Sequence, residues 1–132
     1  LREGLIDGTI DFVATDHAPH SVVDKECTFD EAAFGISVLE TALASLLSLF
    51  HKNLITMPFL VDKLTTSPAK FLQKDIGTLK VGSMADIAIF DPNIEWTVDN
   101  TSLESKGKNT PLSGKTLKGK VIATFFAGQR VY

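Results

Sequence analysis

Three side chains within one run of seven residues could do chemistry: Asp16, His17 and His20, in Ala14-Thr15-Asp16-His17-Ala18-Pro19-His20. A carboxylate and two imidazoles can ligate a metal, move a proton or hold an anion. Pro19 restricts Ala18 to extended backbone, so the two histidines do not share one helical turn. Each residue also has an ordinary use. An aspartate just after a strand caps the following turn, and a single histidine commonly packs in a core or lies on a surface. The possible metal ligands are Asp16, His17, His20, Cys27 and His51, and a zinc site needs about four. Their spacing matches no compact zinc module, so a self-contained metal site is not expected.

The elements that must position this motif can be read around it. Ile10-Asp11-Phe12-Val13 is a short apolar run, which predicts a buried strand over Ile10–Thr15. The loop beyond the C-terminal end of such a strand is where α/β barrels and open α/β sheets place their chemistry. Before it, Leu1 to Asp7 reads as the end of a helix, with Leu1, Leu5 and Ile6 on one face and Gly8 as its stop. After it, Ser21 to Ala33 is charged and aperiodic, and reads as a surface loop that could close over a site.

Gly35 to His51 is predicted to be the principal helix. Ile36, Leu39, Leu43, Leu46, Leu47 and Phe50 recur at helical spacing and predict a core face. Ser37, Thr41, Ala44, Ser45 and Ser48 form a small-residue stripe suited to packing against a neighbouring helix. Phe34-Gly35 at this helix start reads as a core aromatic and a cap. A glycine there also lets a ligand approach the backbone and exposes free N–H groups. A second helix is expected over Leu54–Thr66, with Thr56 as N-cap and Pro58 in its first turn. A short turn of helix should follow, with Ser67 as cap and Pro68 at its first position.

Beyond Gln73 the pattern changes to short runs punctuated by Gly77, Gly82 and Pro92. Strands are expected over Ala85–Phe90, over Glu95–Val98, and in a terminal hairpin of Val121–Phe126 and Arg130–Tyr132. Thr101 to Gly119 reads as a long loop. Helices followed by strands imply two structural units, 1–72 and 73–132.

Composition bounds the function. The chain of 132 residues is long enough for an ordinary core. A net charge of −3 with no Lys/Arg cluster excludes a nucleic-acid surface. No apolar run approaches the roughly 20 residues that cross a bilayer. No signal-peptide pattern opens the chain, and the lone Cys27 can form no internal disulfide, so a cytoplasmic location is expected. The chain begins at Leu1, inside a helical pattern, which predicts a piece of a longer protein.

The motif Ala14–His20 resembles the strand-eight signature of the dihydroorotases, in the amidohydrolase superfamily. The likeness covers nearly the whole chain. Phe34-Gly35-Ile36-Ser37-Val38-Leu39-Glu40-Thr41 is similar to their glycine-led helix start. Ser67-Pro68-Ala69-Lys70 resembles their last barrel helix. The stretch from Gly77 to Asp91 is similar to the strand entering the superfamily's small β-domain. Ser105-Lys106-Gly107-Lys108-Asn109-Thr110-Pro111 matches a late family loop, with Gly114-Lys115 following it. Dihydropyrimidinases and allantoinases resemble the region but usually carry other residues where Ala18-Pro19-His20 stands.

The resemblance implies the C-terminal part of a metal-dependent TIM-type (β/α)8 barrel over 1–72, then part of a small β-sandwich domain over 73–132. It implies the zinc-dependent, reversible cyclisation of N-carbamoyl-L-aspartate to dihydroorotate in pyrimidine synthesis. Asp16 would be both a zinc ligand and the catalytic general acid/base. His20 would grip the substrate carboxylate, and the Phe34 and Gly35 backbone would bond the ring amides. His17 has no assigned role and could orient the loop. The family's His-x-His pair, carboxylated lysine and two further histidines are not in this chain. A homodimer and association with aspartate transcarbamoylase are implied for the whole enzyme. The alternatives are another cyclic amidohydrolase, such as a dihydropyrimidinase or allantoinase, or an inactive homologue serving as a transcarbamoylase partner.

Overall fold

A computed structural model describes residues 1–132. Helices come first. They are α1 (Arg2–Ile6), α2 (Val22–Lys25), α3 (Leu39–His51), α4 (Met57–Leu64) and α5 (Thr66–Phe71). An antiparallel sheet in the order β1-β2-β3 follows, built from β1 (Ile87–Thr97), β2 (Thr116–Phe126) and β3 (Gln129–Arg130). A single 3-10 turn over Asn100–Ser102 lies between β1 and β2. No helix is long and apolar enough to cross a membrane.

Local sequence accounts for most helix ends. Gly8 sits at φ +89 just beyond α1, a conformation that costs glycine little. The Thr56 hydroxyl accepts the Phe59 N–H at 3.4 Å, and Pro58 lies in the first turn of α4, as its sequence predicts. Thr65, at φ −129, separates α4 from α5. Helix α5 therefore starts at Thr66, not with Ser67 as cap, and the Ser67 hydroxyl donates to the Asp62 carboxylate at 2.7 Å.

The expected strand over Ile10–Thr15 carries no ladder. Its apolar run predicts a buried strand, yet none of these residues is buried and none pairs with another strand of this chain. The segment is held at two points. The Val13 N–H donates to the Lys63 carbonyl at 3.2 Å, and His17 forms a single parallel bridge with Ile36. The predicted loop over Ser21–Ala33 contains the one-turn helix α2. Ser21 and Asp24 close it with a capping box, satisfying two otherwise orphaned N–H groups.

Helix α3 begins four residues later than Gly35. Gly35 sits at φ +122, outside helical space, and Ile36 is used by the bridge to His17. Helix α3 packs chiefly on strand β2 and also meets α4, and of its predicted small-residue stripe Ser45 and Ser48 are exposed rather than packed. Thr41, Ala44 and Leu47 are its buried residues, whereas Leu39 of the predicted core face is exposed. Leu47 is wholly buried, worth about 1.5–3 kcal/mol. It lies over Gly119, where any Cβ would collide with its Cδ1. Gly119, at φ +109, thus admits the helix to the sheet.

The two strands expected before and after Pro92 are one strand. Asp91 pairs with Lys120 and Glu95 with Lys118, so Pro92, Asn93 and Ile94 form a bulge. A proline without an N–H is tolerated there because no ladder bond is lost. Strand β2 begins at Thr116, inside the predicted loop, and Trp96 Nε1 donates to the Gly119 carbonyl at 2.8 Å. Ala127 and Gly128 sit at φ +47 and +81, the two positive values that a two-residue primed hairpin turn requires. The predicted terminal hairpin is therefore present between β2 and β3.

Candidate active site

The motif loop is fixed by contacts from two distant segments, 34–39 and 107–109. Asp16 stands at φ +47, where a left-handed kink ends the extended run, and its side chain is exposed. Aspartate is among the few non-glycine residues that accept this region. His17 turns the other way. Its Nδ1 accepts the N–H groups of Val38 and Leu39, both at 3.1 Å. These are the first donors of α3, and Val38 has no side chain to cap them. An imidazole atom accepting two N–H bonds carries no proton, so the hydrogen sits on Nε2.

His20 lies beside the Phe34–Gly35 backbone. Its Nε2 is 2.6 Å from the Phe34 carbonyl. A carbonyl only accepts, so Nε2 donates, and Nδ1 is the ring atom left for another group. The Phe34 carbonyl is thereby occupied, which leaves the N–H groups of Phe34 and Gly35 as the backbone donors of this segment. The Gly35 carbonyl accepts from Asn109 Nδ2 at 2.9 Å and from Lys25 Nζ at 3.1 Å. Lys25 also donates to the Ala33 carbonyl at 2.7 Å. A Cβ on Gly35 would lie 2.5 Å from Ala18 Cβ and 3.1 Å from His20 Nε2. Only glycine allows this approach of the two loops.

His20, Phe34 and Gly35 are thus brought together, with Asp16 four residues before His20 on the same loop. Cys27 and His51 are elsewhere. Cys27 is exposed, its thiol donating to the Asp24 carbonyl at 3.6 Å. His51 Nε2 lies 2.9 Å from the Pro92 carbonyl in the β1 bulge, at the far end of α3.

Sequence reasoning missed Lys25 and Asn109. Lys25 was one of several charges on a predicted loop. Asn109 lies 89 residues from His20, whose N–H it accepts at 3.0 Å through Oδ1. Only its place in the Ser105–Pro111 motif marked it.

As a metal-binding set, these residues are incomplete. No three His, Cys, Asp or Glu side chains cluster to hold an ion. Asp16 alone fits, as an exposed anionic oxygen donor that accepts no hydrogen bond from the rest of the chain. It could supply one ligand of a metal site.

The amidohydrolase family model matches residues 1–131. A dihydroorotase of Syntrophus aciditrophicus is 52% identical over all 132 residues, and a dihydroorotase of Aquifex aeolicus is 50% identical over the same length. The chain spans 31% of the length of each. Among solved structures, an L-hydantoinase (dihydropyrimidinase) from Arthrobacter aurescens superposes with a TM-score of 0.89 at 34% identity, covering 98% of this chain and 30% of its own. A dihydropyrimidinase from Brevibacillus agri does so with a TM-score of 0.90 at 28% identity, with the same coverage.

Proposed function

Since this chain belongs to the amidohydrolase family, we propose that it is the C-terminal portion of a dihydroorotase. In this reading, 1–72 supply strand eight and the last helices of a TIM-type barrel, and 73–132 supply part of a small β-sandwich domain. The whole enzyme interconverts N-carbamoyl-L-aspartate and dihydroorotate in the cytoplasm. It acts as a homodimer that can associate with aspartate transcarbamoylase. Identity near one half to proteins named dihydroorotase, against 34% and 28% to the hydantoinase-type structures, favours dihydroorotate over other cyclic amides.

Each residue then has a task. Asp16 donates one carboxylate oxygen to the metal centre. Zinc bound there would supply Lewis acidity to a ring carbonyl and to a bound water. As general base, Asp16 takes the proton released when water attacks. As general acid, it returns that proton to the departing ring nitrogen. His20 presents Nδ1 to the carboxylate of the substrate and, when protonated, donates a charge-assisted hydrogen bond. The N–H groups of Phe34 and Gly35 meet the ring amide. His17 holds the N-terminus of α3, and thereby the segment that follows Gly35.

The observation that carries this reading is the seating of His20 on the Phe34 carbonyl, with its second ring nitrogen left for a ligand. Its test is His20→Ala in the full-length enzyme. A group that grips the carboxylate in ground and transition states alike contributes roughly 1.5–3 kcal/mol. KM for dihydroorotate should therefore rise about 10- to 150-fold, with kcat much less changed. An unchanged KM with a collapsed kcat would make His20 a proton-transfer group instead.

A further inference from the structure

The mechanism above leaves the Ser105–Pro111 loop without a task, yet this loop reaches both halves of the candidate site. The two ends of the Asn109 carboxamide serve different segments. Its Oδ1 accepts the His20 N–H at 3.0 Å, and its Nδ2 donates to the Gly35 carbonyl at 2.9 Å. Its own carbonyl accepts the Ser37 N–H at 2.8 Å. Two residues earlier, Gly107 presses against the motif loop. A Cβ there would lie 2.6 Å from Pro19 Cβ and 2.8 Å from the His20 nitrogen and oxygen. This approach seats Asn109 between the two segments.

We propose that Asn109 is a positioning residue that fixes the spacing between the His20 imidazole and the Phe34–Gly35 backbone. The proposal rests on the reading of those three residues as substrate groups. The carboxylate end and the amide edge of a ring would then be read by two loops held in register by one side chain. A carboxamide suits this because it carries a donor and an acceptor on one rigid plane. Aspartate keeps the acceptor and loses the donor; alanine loses both. Removal acts unequally on the two loops. Gly35 keeps Lys25 on its carbonyl at 3.1 Å, whereas the His20 N–H has no second partner. The His20 side should loosen first.

The test uses the full-length enzyme with Asn109→Ala and Asn109→Asp. Three quantities are measured: steady-state kinetics on dihydroorotate, hydrogen exchange over 17–20 and 34–37, and the thermal midpoint. In Asn109→Ala, KM should rise roughly tenfold, the scale of one hydrogen bond, with kcat and the midpoint nearly unchanged. Exchange should quicken more over 17–20 than over 34–37. In Asn109→Asp, exchange at His20 should stay near the wild-type rate while KM still rises. Wild-type exchange in Asn109→Ala would overturn the proposal whatever the activity. So would a KM within twofold of wild type, or a fall in kcat and thermal midpoint with KM unchanged. A wild-type enzyme inactive on dihydroorotate, with the exchange pattern as stated, would overturn the substrate reading and leave the positioning role supported.

Discussion

Helix α3 starts after Val38, whose side chain can accept nothing, so its first N–H groups need a partner from elsewhere. His17 is that partner, at 3.1 Å from both Val38 and Leu39 nitrogens. The three polar residues of the motif therefore divide their work. His17 is structural, His20 is seated on Phe34, and Asp16 is exposed at a left-handed kink with its carboxylate free. Residue type and spacing singled out all three alike, and only the family resemblance set Asp16 and His20 apart as site candidates. The role of His17 was not legible, because its partners lie 21 and 22 residues along the chain. Asp16 also carries the strongest residue-level prediction. In the full-length enzyme, Asp16→Asn should lower kcat by more than roughly 10²-fold, the scale of general acid–base catalysis. In the zinc enzyme proposed, metal content should fall less than activity. Near-normal turnover in this variant would remove Asp16 from the mechanism.

At the scale of elements, signals confined to a few residues were legible and pairing was not. Gly8, Thr56 and the Ala127–Gly128 turn act within one or two turns of backbone, so sequence alone places them. The strand expected over Ile10–Thr15 pairs with no other strand of this chain, because an apolar pattern says nothing of a neighbour. The division of β1 at Pro92 fails because a bulge takes the proline out of the ladder without ending the strand. Helix α2 was hidden in a charged stretch, although Ser21 and Asp24 have capping-box spacing. That box makes α2 sensitive to acid. The Ser21 hydroxyl donates to the Asp24 carboxylate at 2.7 Å, and this bond first, then the Ser21 N–H, holds the Asp24 pKa below the ordinary 3.8. A pKa depressed on folding contributes stability that is present above the unfolded value and is lost as pH falls through the folded one. The box should therefore be at full strength above pH 3.8 and open as pH falls through the lower, folded pKa of Asp24. Carbon NMR of the Asp24 carboxyl should show its midpoint moving up toward 3.8 in Ser21→Ala. An unmoved midpoint would mean that the hydroxyl does not hold the carboxylate.

At the scale of the whole molecule, α3 joins the helical and sheet portions along its length. At its N-terminal end, the Glu40 carboxylate accepts the N–H groups of Glu104 at 2.9 Å and Ser105 at 3.1 Å. In its middle Leu47 lies on Gly119, and at its C-terminal end His51 meets the Pro92 carbonyl. The succession of helices and then strands was legible from hydrophobic period and turn residues. These long-range contacts were not, since each joins residues whose types are individually unremarkable. The Glu40 contacts anchor the start of the 105–111 loop, and Gly107 and Asn109 carry it to the motif, so the chain beyond β1 helps to shape the candidate site. We propose that this site belongs to an enzyme that reads a ring carrying a carboxylate. Comparing kcat/KM of the full-length enzyme on dihydroorotate, dihydrouracil and hydantoin tests it most directly. A site built around a charged hydrogen bond should favour dihydroorotate by at least roughly 10³-fold, because the other two rings leave His20 unpaired. Equal or better turnover of dihydrouracil or hydantoin would contradict the claim.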